Sequence, residues 1–172
     1  MAEPPISSSA LIDVRPATPD DADALLPLIH AHAAYEGGMA SVEAHRLRAA
    51  LGGASPALHG WLAEQHGGVI GYATAAREFA TWSGSHFLHL DCLFVVQFAR
   101  GSGAGRMLMN AVRAHAIATG IDQVEWQTPA WNEDACRFYL RMGATSSDKR
   151  RFKWPVACLL DHAARRVCVA CS

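Results

Sequence analysis

The sequence predicts an α/β fold (α+β in some schemes), one mixed sheet with helices on its faces. Stretches of period-two alternation crowd the middle of the chain, amphipathic helical stripes flank them, and the C-terminal half runs strand, helix, strand, helix. Strands in a row followed by β-α-β-α indicate a mixed sheet covered by helices. At 172 residues the chain fits one domain on the usual scale of about 100–200 residues. A chain of roughly 150 residues buries about 68–70% of its unfolded surface, so a core is available without disulfide or metal staples.

Residues 1–10 read as a loose leader of Pro and Ser, and residues 11–16 (LIDVRP) as a first strand. Thr18 then offers a helix N-cap, Pro19 suits the first helical position, and Asp20 and Asp21 favour the first turn. Leu25, Leu28, Ile29 and Ala33 follow at helical spacing until Gly37–Gly38. A shorter helix is expected over 41–51, ended by Gly52–Gly53. Residues 57–65, 69–79 and 86–96 read as three strands, the first two joined as a hairpin through His66–Gly67–Gly68. Residues 80–85 connect the second to the third.

A polar, Gly-containing loop over 97–103 leads into a helix over 103–119, with Leu108, Ala111, Val112 and Ala116 on one face and Gly120 at its end. Residues 121–128 form another strand. Asn132 caps a further helix with the stripe Ala135, Phe138, Tyr139 and Met142, ended by Gly143. A late strand is expected near 150–154. One domain over 11–164 and a tail or strand over 165–172 complete the organisation.

Composition excludes several classes. With 51% hydrophobic and 18% charged residues, the chain is no disordered tail protein. Fifteen basic against sixteen acidic residues leave a net charge of -1, and the pI is near 6.7, so no nucleic-acid partner is expected. No apolar run reaches the roughly 18 residues of a membrane span. The opening MAEPPISSSA has neither a basic n-region nor an apolar h-region, so a cytoplasmic location is expected. Cys92, Cys136, Cys158, Cys168 and Cys171 are an odd, scattered set and read as reduced thiols. Cys168 and Cys171 form one CxxC that, with Cys158 and His162, has zinc-ligand chemistry. A thiol-bearing C-terminal segment is the favoured reading, and no metal is expected.

The strongest motif is Arg100-Gly101-Ser102-Gly103-Ala104-Gly105, between an apolar strand and an amphipathic helix. Glycines let the backbone approach a ligand and adopt positive φ. The first N–H groups of the helix lack internal partners, and with the helix dipole they suit a pyrophosphate. The pattern is not a Rossmann fingerprint, which follows the first strand and carries an acid about 20 residues on. It is not a Walker A loop either, because Arg106-Met107 stands where Lys-Ser/Thr would be. A Gly-rich surface turn is the alternative. The second feature is Trp131-Asn132-Glu133-Asp134 leading to Tyr139. A Tyr in an apolar stripe is commonly a core residue, yet its phenol can protonate a thiolate leaving group.

These motifs resemble the GNAT acyl-CoA N-acetyltransferases. The segment LDCLFVVQFARGSGAGRMLM is similar to the family's strand, Arg/Gln-x-x-Gly-x-Gly/Ala loop and helix, and WNEDACRFYLRMGA to its second cofactor motif. VRPATPDDADALLPLIHAHAAYEG resembles its first strand and helix. The likeness covers 11–154 and is greatest toward the diamine (spermidine/spermine) and thialysine branch. It rests there on Ala34-Tyr35-Glu36, Thr81-Trp82-Ser83-Gly84, Leu88 to Val95 and Trp131-Asn132-Glu133. The resemblance implies the GNAT fold, a mixed, mostly antiparallel sheet of about six to seven strands with about four helices. It implies an enzyme using acetyl-CoA as cosubstrate on a small-molecule amine, and, by analogy, a homodimer.

The resemblance also implies roles. The strand before the loop would splay at a bulge, with the pantetheine arm pairing along Leu93, Phe94 and Val95. The pyrophosphate would sit on the backbone of Arg100, Gly101, Ser102, Gly103, Ala104, Gly105 and Arg106. Asn132, Glu133, Asp134 and Ala135 would lie near the thiol end, with Tyr139 as general acid. Asp91 matches the acid that contacts the amine, Tyr35 and Glu36 a substrate-side pair, and Glu125, Trp126 and Gln127 lie on a strand lining the same cleft. Two features depart from the branch. Cys92 replaces its second adjacent acid, and Asp148-Lys149-Arg150-Arg151 replaces a Glu-Gly-Trp-like segment. Both weaken the case for a polycation and favour an amino-acid-like amine, or a drug or peptide amine.

Other candidates have bland readings. His89 shares a strand face with Asp91 and could pass a proton to water, but reads first as a sheet histidine. Trp82 and Trp131, in loops, could form an aromatic cation site, whereas Trp61, Trp126 and Trp154 read as packing residues. Lys149-Arg150-Arg151 reads as a solvated edge. Direct attack of the amine is expected, with Asp91 taking its proton through water and Glu36 as second option. Cys92 as a covalent nucleophile is disfavoured, because an adjacent acid raises a thiol's pKa. A GNAT-fold protein that holds acyl-CoA without turnover is the rival class. Asn132, Tyr139 and the loop favour the enzyme.

Overall fold

A computed structural model of the chain describes residues 11–154. The leader at 1–10, the tail at 165–172 and the Cys158, His162, Cys168 and Cys171 set lie outside the described residues. β1 is Asp13–Pro16, α1 Ala22–Tyr35, α2 Ala44–Leu51, β2 His59–Gln65, β3 Gly68–Ala80, β4 Ser85–Val95, α3 Ala104–Ala118, β5 Val124–Glu125 and α4 Glu133–Arg141. Short 3-10 turns, Pro19–Asp21 and Gln97–Ala99, lead toward α1 and α3. The chain divides into two compact units, one through Ala135 and one from Cys136 on.

In the first unit the sheet order is β1-β2-β3-β4-β5. The first four strands pair antiparallel, and β5 pairs parallel to β4. The mixed, mostly antiparallel sheet is therefore as expected, but it has five strands among the described residues and not six or seven. The strand expected over 121–128 shrinks to Val124–Glu125, because only these two residues find ladder partners, Leu88 and His89. The strand expected at 150–154 is irregular chain. Phe152 and Trp154 there are 88% and 79% exposed, and Lys149, Arg150 and Arg151 keep the segment in water. Trp154 is thus not the packing residue its type suggested.

Alternation decides which helix covers which face. Leu62, Tyr72 and Phe94 join Leu25, Leu28, Leu47 and Leu51 in one cluster between the sheet, α1 and α2. Each fully buried side chain of this kind contributes roughly 1.5–3 kcal/mol. Trp61 points to the other face, where its ring meets His115 of α3 at 5.4 Å. There Leu108, Met109, Val112 and Ala116 are buried. Gly71 lets β3 and β4 close up, since a Cβ would stand 2.7 Å from the Phe94 carbonyl oxygen.

The entry to α1 is built as its residues suggest. The Thr18 N–H donates to Asp21 Oδ2 at 2.7 Å. Arg15 Nη2 reaches Asp21 at 2.7 Å and Glu64 at 2.8 Å, tying β1, the turn and β2 together. Hydrogen bonding from Arg15 holds the Asp21 carboxyl below the usual carboxylate range. Arg48 of α2 pairs with Asp23 of α1. Among the described residues no helix is long and apolar enough to cross a membrane.

Candidate functional site

The site grows from a break in β4. Thr74 pairs with Cys92 and Ala75 with Leu90, so Asp91 is the extra residue of a β-bulge. A bulge was expected on this strand; it falls at Asp91, and Asp91 is exposed. β5 pairs with β4 only at Leu88 and His89. Beyond them, Leu93, Phe94 and Val95 have no β5-side ladder partner among the described residues. Such an edge can accept an extended ligand as an added strand.

The loop that follows is shaped for an anion. Gly101 and Gly103 adopt φ of +82° and +99°, and a Cβ at either would meet nothing within 4 Å. The backbone there is open to an approaching ligand. Gly103 caps α3 and its carbonyl accepts from the Met107 N–H at 3.0 Å. The Ala104 N–H reaches Ser102 Oγ at 3.4 Å. By helix geometry the N–H groups of Gly105 and Arg106 have no partner within α3. Open backbone, first-turn donors and the exposed Arg100 and Arg106 fit a pyrophosphate, and the free β4 edge fits its extended arm.

Helix α1 ends beside this loop. The Arg100 guanidinium lies over the Tyr35 ring, 4.3 Å from its centroid. Its Nε donates to the Val95 carbonyl at 3.1 Å. Trp131 meets Tyr35 edge-on at 5.8 Å, and Phe94 lies 6.5 Å from it. A cavity of ≈ 260 Å³ opens here, lined by Ala31, Tyr35, Phe94, Val96, Gln97 and Arg100.

Under this cavity lies a polar set that the sequence reading did not single out. His32 Nδ1 is 3.0 Å from the Tyr72 hydroxyl, and Nε2 is 3.4 Å from Glu36 Oε1. Phe94 stacks on the imidazole at 5.1 Å. Burial lowers the His32 pKa against the raising effects of Glu36 and Asp91. Burial also pushes the Tyr72 phenol far above its ordinary value, helped by Cys92 and Asp91. Cys92 hydrogen bonds with Tyr72 and Thr74, and its thiol donates to Asp91 Oδ2 at 3.6 Å. Burial first, then Asp91, raises the Cys92 thiol to about 11. The signals were legible in part. His32 continues the α1 stripe of Leu25 and Leu28, and Tyr72 and Thr74 stand two apart on β3.

Other expected residues fall in several places. Glu125 lies on β5 and accepts from Gln123 Nε2 at 2.8 Å. Trp126 is half-buried and Gln127 exposed, just past the end of β5. Trp82 sits at the tip of the β3–β4 hairpin, 102% exposed. Leu90, at the bulge, lies five positions along β4 from Ser85 at that tip, roughly 17 Å at a strand's rise. Within one chain the fold does not bring Trp82 to the bulge. His89 lies 3.7 Å from Glu78 across the hairpin, the sheet-histidine arrangement. Asn132 Oδ1 accepts from the Ala135 N–H at 3.2 Å and so caps α4 as expected, with Glu133 and Asp134 in its first turn. Tyr139 belongs to the second unit, half-buried on α4, with its ring 5.2 Å from Phe138.

Comparison with known proteins adds an independent line. The model of the acetyltransferase (GNAT) family matches residues 27–144. A thialysine N-epsilon-acetyltransferase of Caenorhabditis elegans is 31% identical over 124 residues, 71% of this chain and 76% of that protein. An L-ornithine N5-acetyltransferase of Arabidopsis thaliana is 29% identical over 76 residues, 44% of this chain and 33% of that protein. Among solved structures, an aminoglycoside N-acetyltransferase in complex with CoA aligns with a TM-score of 0.74 at 17% identity, covering 88% of this chain and 99% of that one. That last likeness concerns the fold alone.

Proposed function

The chain belongs to the GNAT acetyltransferase family and is an acetyl-CoA-dependent N-acetyltransferase; from that premise we propose that it acetylates a primary amine of a small, amino-acid-like molecule by direct attack. The observation that carries this reading is the bulge that leaves Asp91 exposed on the strand edge beside Leu93–Val95. It offers a carboxylate to an amine beside the edge where a thioester-bearing arm would lie. Glu36 adds a second carboxylate, and Tyr35 and Trp131 add aromatic faces suited to a cation. Arg100, over Tyr35, can meet a carboxylate on the same small molecule. The thialysine and ornithine enzymes it resembles are named for amino acids with a second amine, which supports this class.

An alkyl ammonium with a pKa near 10.4 is neutral only about once in a few thousand at pH 7, so the site must accept a proton before attack. Asp91 through water, or Glu36, serves as that acceptor. Acetyl-CoA supplies an activated acyl group. Cys92 takes no part as nucleophile, because a half-buried thiol raised to about 11 holds little thiolate. Tyr139 protonates the departing thiolate, and the active form is a homodimer. The test is thiol release from acetyl-CoA with polyamines, thialysine, lysine, ornithine, other amino acids and aminoglycosides. Fastest turnover with a diamino acid supports the reading. Tight acetyl-CoA binding with no turnover on any amine points instead to a binding protein.

A further inference from the structure

We propose that Arg100, with Gln97 beside it, is the receptor for the acceptor's carboxylate, and that this receptor directs acetyl transfer to the amine farthest from that carboxylate. The inference rests on the acetyltransferase reading and deepens it. Arg100 is held by two contacts that leave its outer end open. Its Nε donates to the Val95 carbonyl at 3.1 Å, and its guanidinium lies 4.3 Å from the Tyr35 centroid. Arg15 is paired with Asp21 and Glu64, and Arg48 with Asp23, but among the described residues no carboxylate stands within ion-pair distance of Arg100. A guanidinium carries five N–H donors, so the four on its two Nη atoms remain. They form a flat fork that matches a carboxylate in two parallel bonds.

The cavity of ≈ 260 Å³ completes the receptor and turns the amine away. Ala31, Tyr35, Phe94 and Val96 wall it, Gln97 adds an amide, and Arg100 adds the one charge on its lining. Gln97 and Arg100 stand at the two ends of a 3-10 turn, closed by the Arg100 N–H donating to the Gln97 carbonyl at 3.2 Å. Residues three apart in such a turn eclipse, so both exposed side chains open on the same mouth. Neither Glu36 nor Asp91 lines the cavity. An ammonium drawn into it would meet a cation and apolar walls, whereas a carboxylate meets two sets of donors.

Reach then separates the two amines of one molecule. Asp91 lies four positions along β4 from Val95, roughly 13 Å at a strand's rise. The α-amine of an amino acid stands only about 2.5 Å from its carboxylate carbon, across two bonds of about 1.5 Å, and so stays at the cavity mouth. A side-chain amine of lysine length stands about 7.5 Å away when the chain is staggered and extended. Charge-assisted hydrogen bonds of about 2.8 Å at both ends then close the span to Asp91. The distal nitrogen bonds to the acyl carbon as the C–S bond breaks. Of the two protons its ammonium gives up, one leaves through Asp91 to water and one ends on the departing sulfur. The α-ammonium keeps its protons and its nitrogen has no electron pair for attack.

The test compares lysine with 1,5-diaminopentane, the same chain without its carboxylate, for the parent, Arg100→Leu and Gln97→Leu. The readout is the ratio of the two kcat/KM values at saturating acetyl-CoA, in which any effect on cofactor binding cancels, together with the site of acetylation in the lysine product. The parent is expected to favour lysine by at least about tenfold, as a hydrogen-bonded charge would give, and to release lysine acetylated on the side-chain nitrogen. Arg100→Leu brings the ratio to within about twofold of unity. Gln97→Leu lowers it about threefold, as loss of one neutral donor would, and decides alone if Arg100→Leu melts below the assay temperature. A ratio that both variants keep, or a lysine product acetylated on the α-nitrogen, overturns the proposal and leaves the acetyltransferase reading standing. A parent active only on amines without a carboxylate overturns the proposal and the amino-acid-like class. A parent inert toward every amine overturns the acetyltransferase reading itself.

Discussion

The Arg100 guanidinium stands 4.3 Å from the centroid of the Tyr35 ring, joining the anion loop to the C-terminal end of α1. The two residues are far apart in sequence, and their contact places a cation between the expected phosphate and amine ends of the site. A cation over an aromatic face is worth about 0.5–1 kcal/mol at exposed sites. Arg100→Leu keeps some packing and removes the charge. Its acetyl-CoA Kd is expected to rise about fivefold to tenfold at low salt, by loss of a charge-assisted contact, and the difference should shrink in high salt. Equal affinities by calorimetry at low salt would place the guanidinium away from the phosphates.

Gly103 is expected to be intolerant for a backbone reason. Its φ is +99° and a Cβ there would meet open space. Gly103→Ala thus carries conformational strain of roughly 1–3 kcal/mol rather than a clash. The expected outcome is a lower melting temperature and a severalfold weaker acetyl-CoA affinity. An alanine variant with parental melting and binding would show that the left-handed turn is not needed.

Tyr139→Phe tests the general acid. It preserves the ring on α4 and removes the proton donor. Acid–base help is typically worth 10²–10⁴-fold, and the loss in kcat is expected to be at least about tenfold because water substitutes in part. Acetyl-CoA binding and the thermal melt should match the parent. A rate within about twofold of the parent would leave Tyr139 a packing residue.

Direct transfer predicts no acetylated cysteine. Cys92 is half-buried, and its thiol is raised to about 11 by burial and Asp91. Acid-quenched turnover followed by intact-mass and peptide analysis should find Cys92 unmodified. Capture of an acetyl group on its sulfur in quantity matching the enzyme would overturn direct attack.

Stability should fall on mild acidification. His59 of β2 and His115 of α3 lie ring to ring at 4.3 Å, and burial lowers both pKa values, with His115 further lowering His59. The unfolded chain takes up protons near the reference value of about 6.5, while the folded chain resists until lower pH. Stability is therefore full above about pH 6.5 and is lost as pH falls below it. The Asp21 carboxyl, also lowered, acts at far lower pH and does not contribute in this window. His115→Phe keeps the contact with Trp61 and should flatten part of the melting-temperature slope between about pH 7.5 and about pH 5. An unchanged slope would assign the effect to other groups.

Much of the frame is legible in the amino-acid sequence. Gly37, Gly120 and Gly143 adopt positive φ where helices were expected to stop, and Asn132 caps α4. The hairpin through His66 and Gly67 was legible from its turn residues. Misjudged elements were those whose existence depends on a partner. Residues 121–128 carry strand-like Ile121, Val124 and Trp126, yet only two of the eight find β4. Phe152 and Trp154 carry strand-like residue types, but their segment has no ladder among the described residues. Of the site, Tyr35, Asp91, Arg100 and Trp131 were legible from motif and loop position. His32 and Tyr72 were not, since each looks like an ordinary member of an apolar stripe.

What the sequence determined by itself is the order of elements, their caps and stops, and the anion-binding loop. Those features rest on side-chain periods and on φ preferences that act over a few residues. The tertiary structure alone decided that Asp91 is the bulged residue, that β4 and β5 part after His89, and that His32 meets Tyr72. Each is a relation between chain segments. The His32–Tyr72 bond spans 40 residues, and the bulge exists only as a mismatch against β3. A hydrogen bond of that kind, or a register, is set by the packing of α1 and β3 onto one core, and no local preference encodes it.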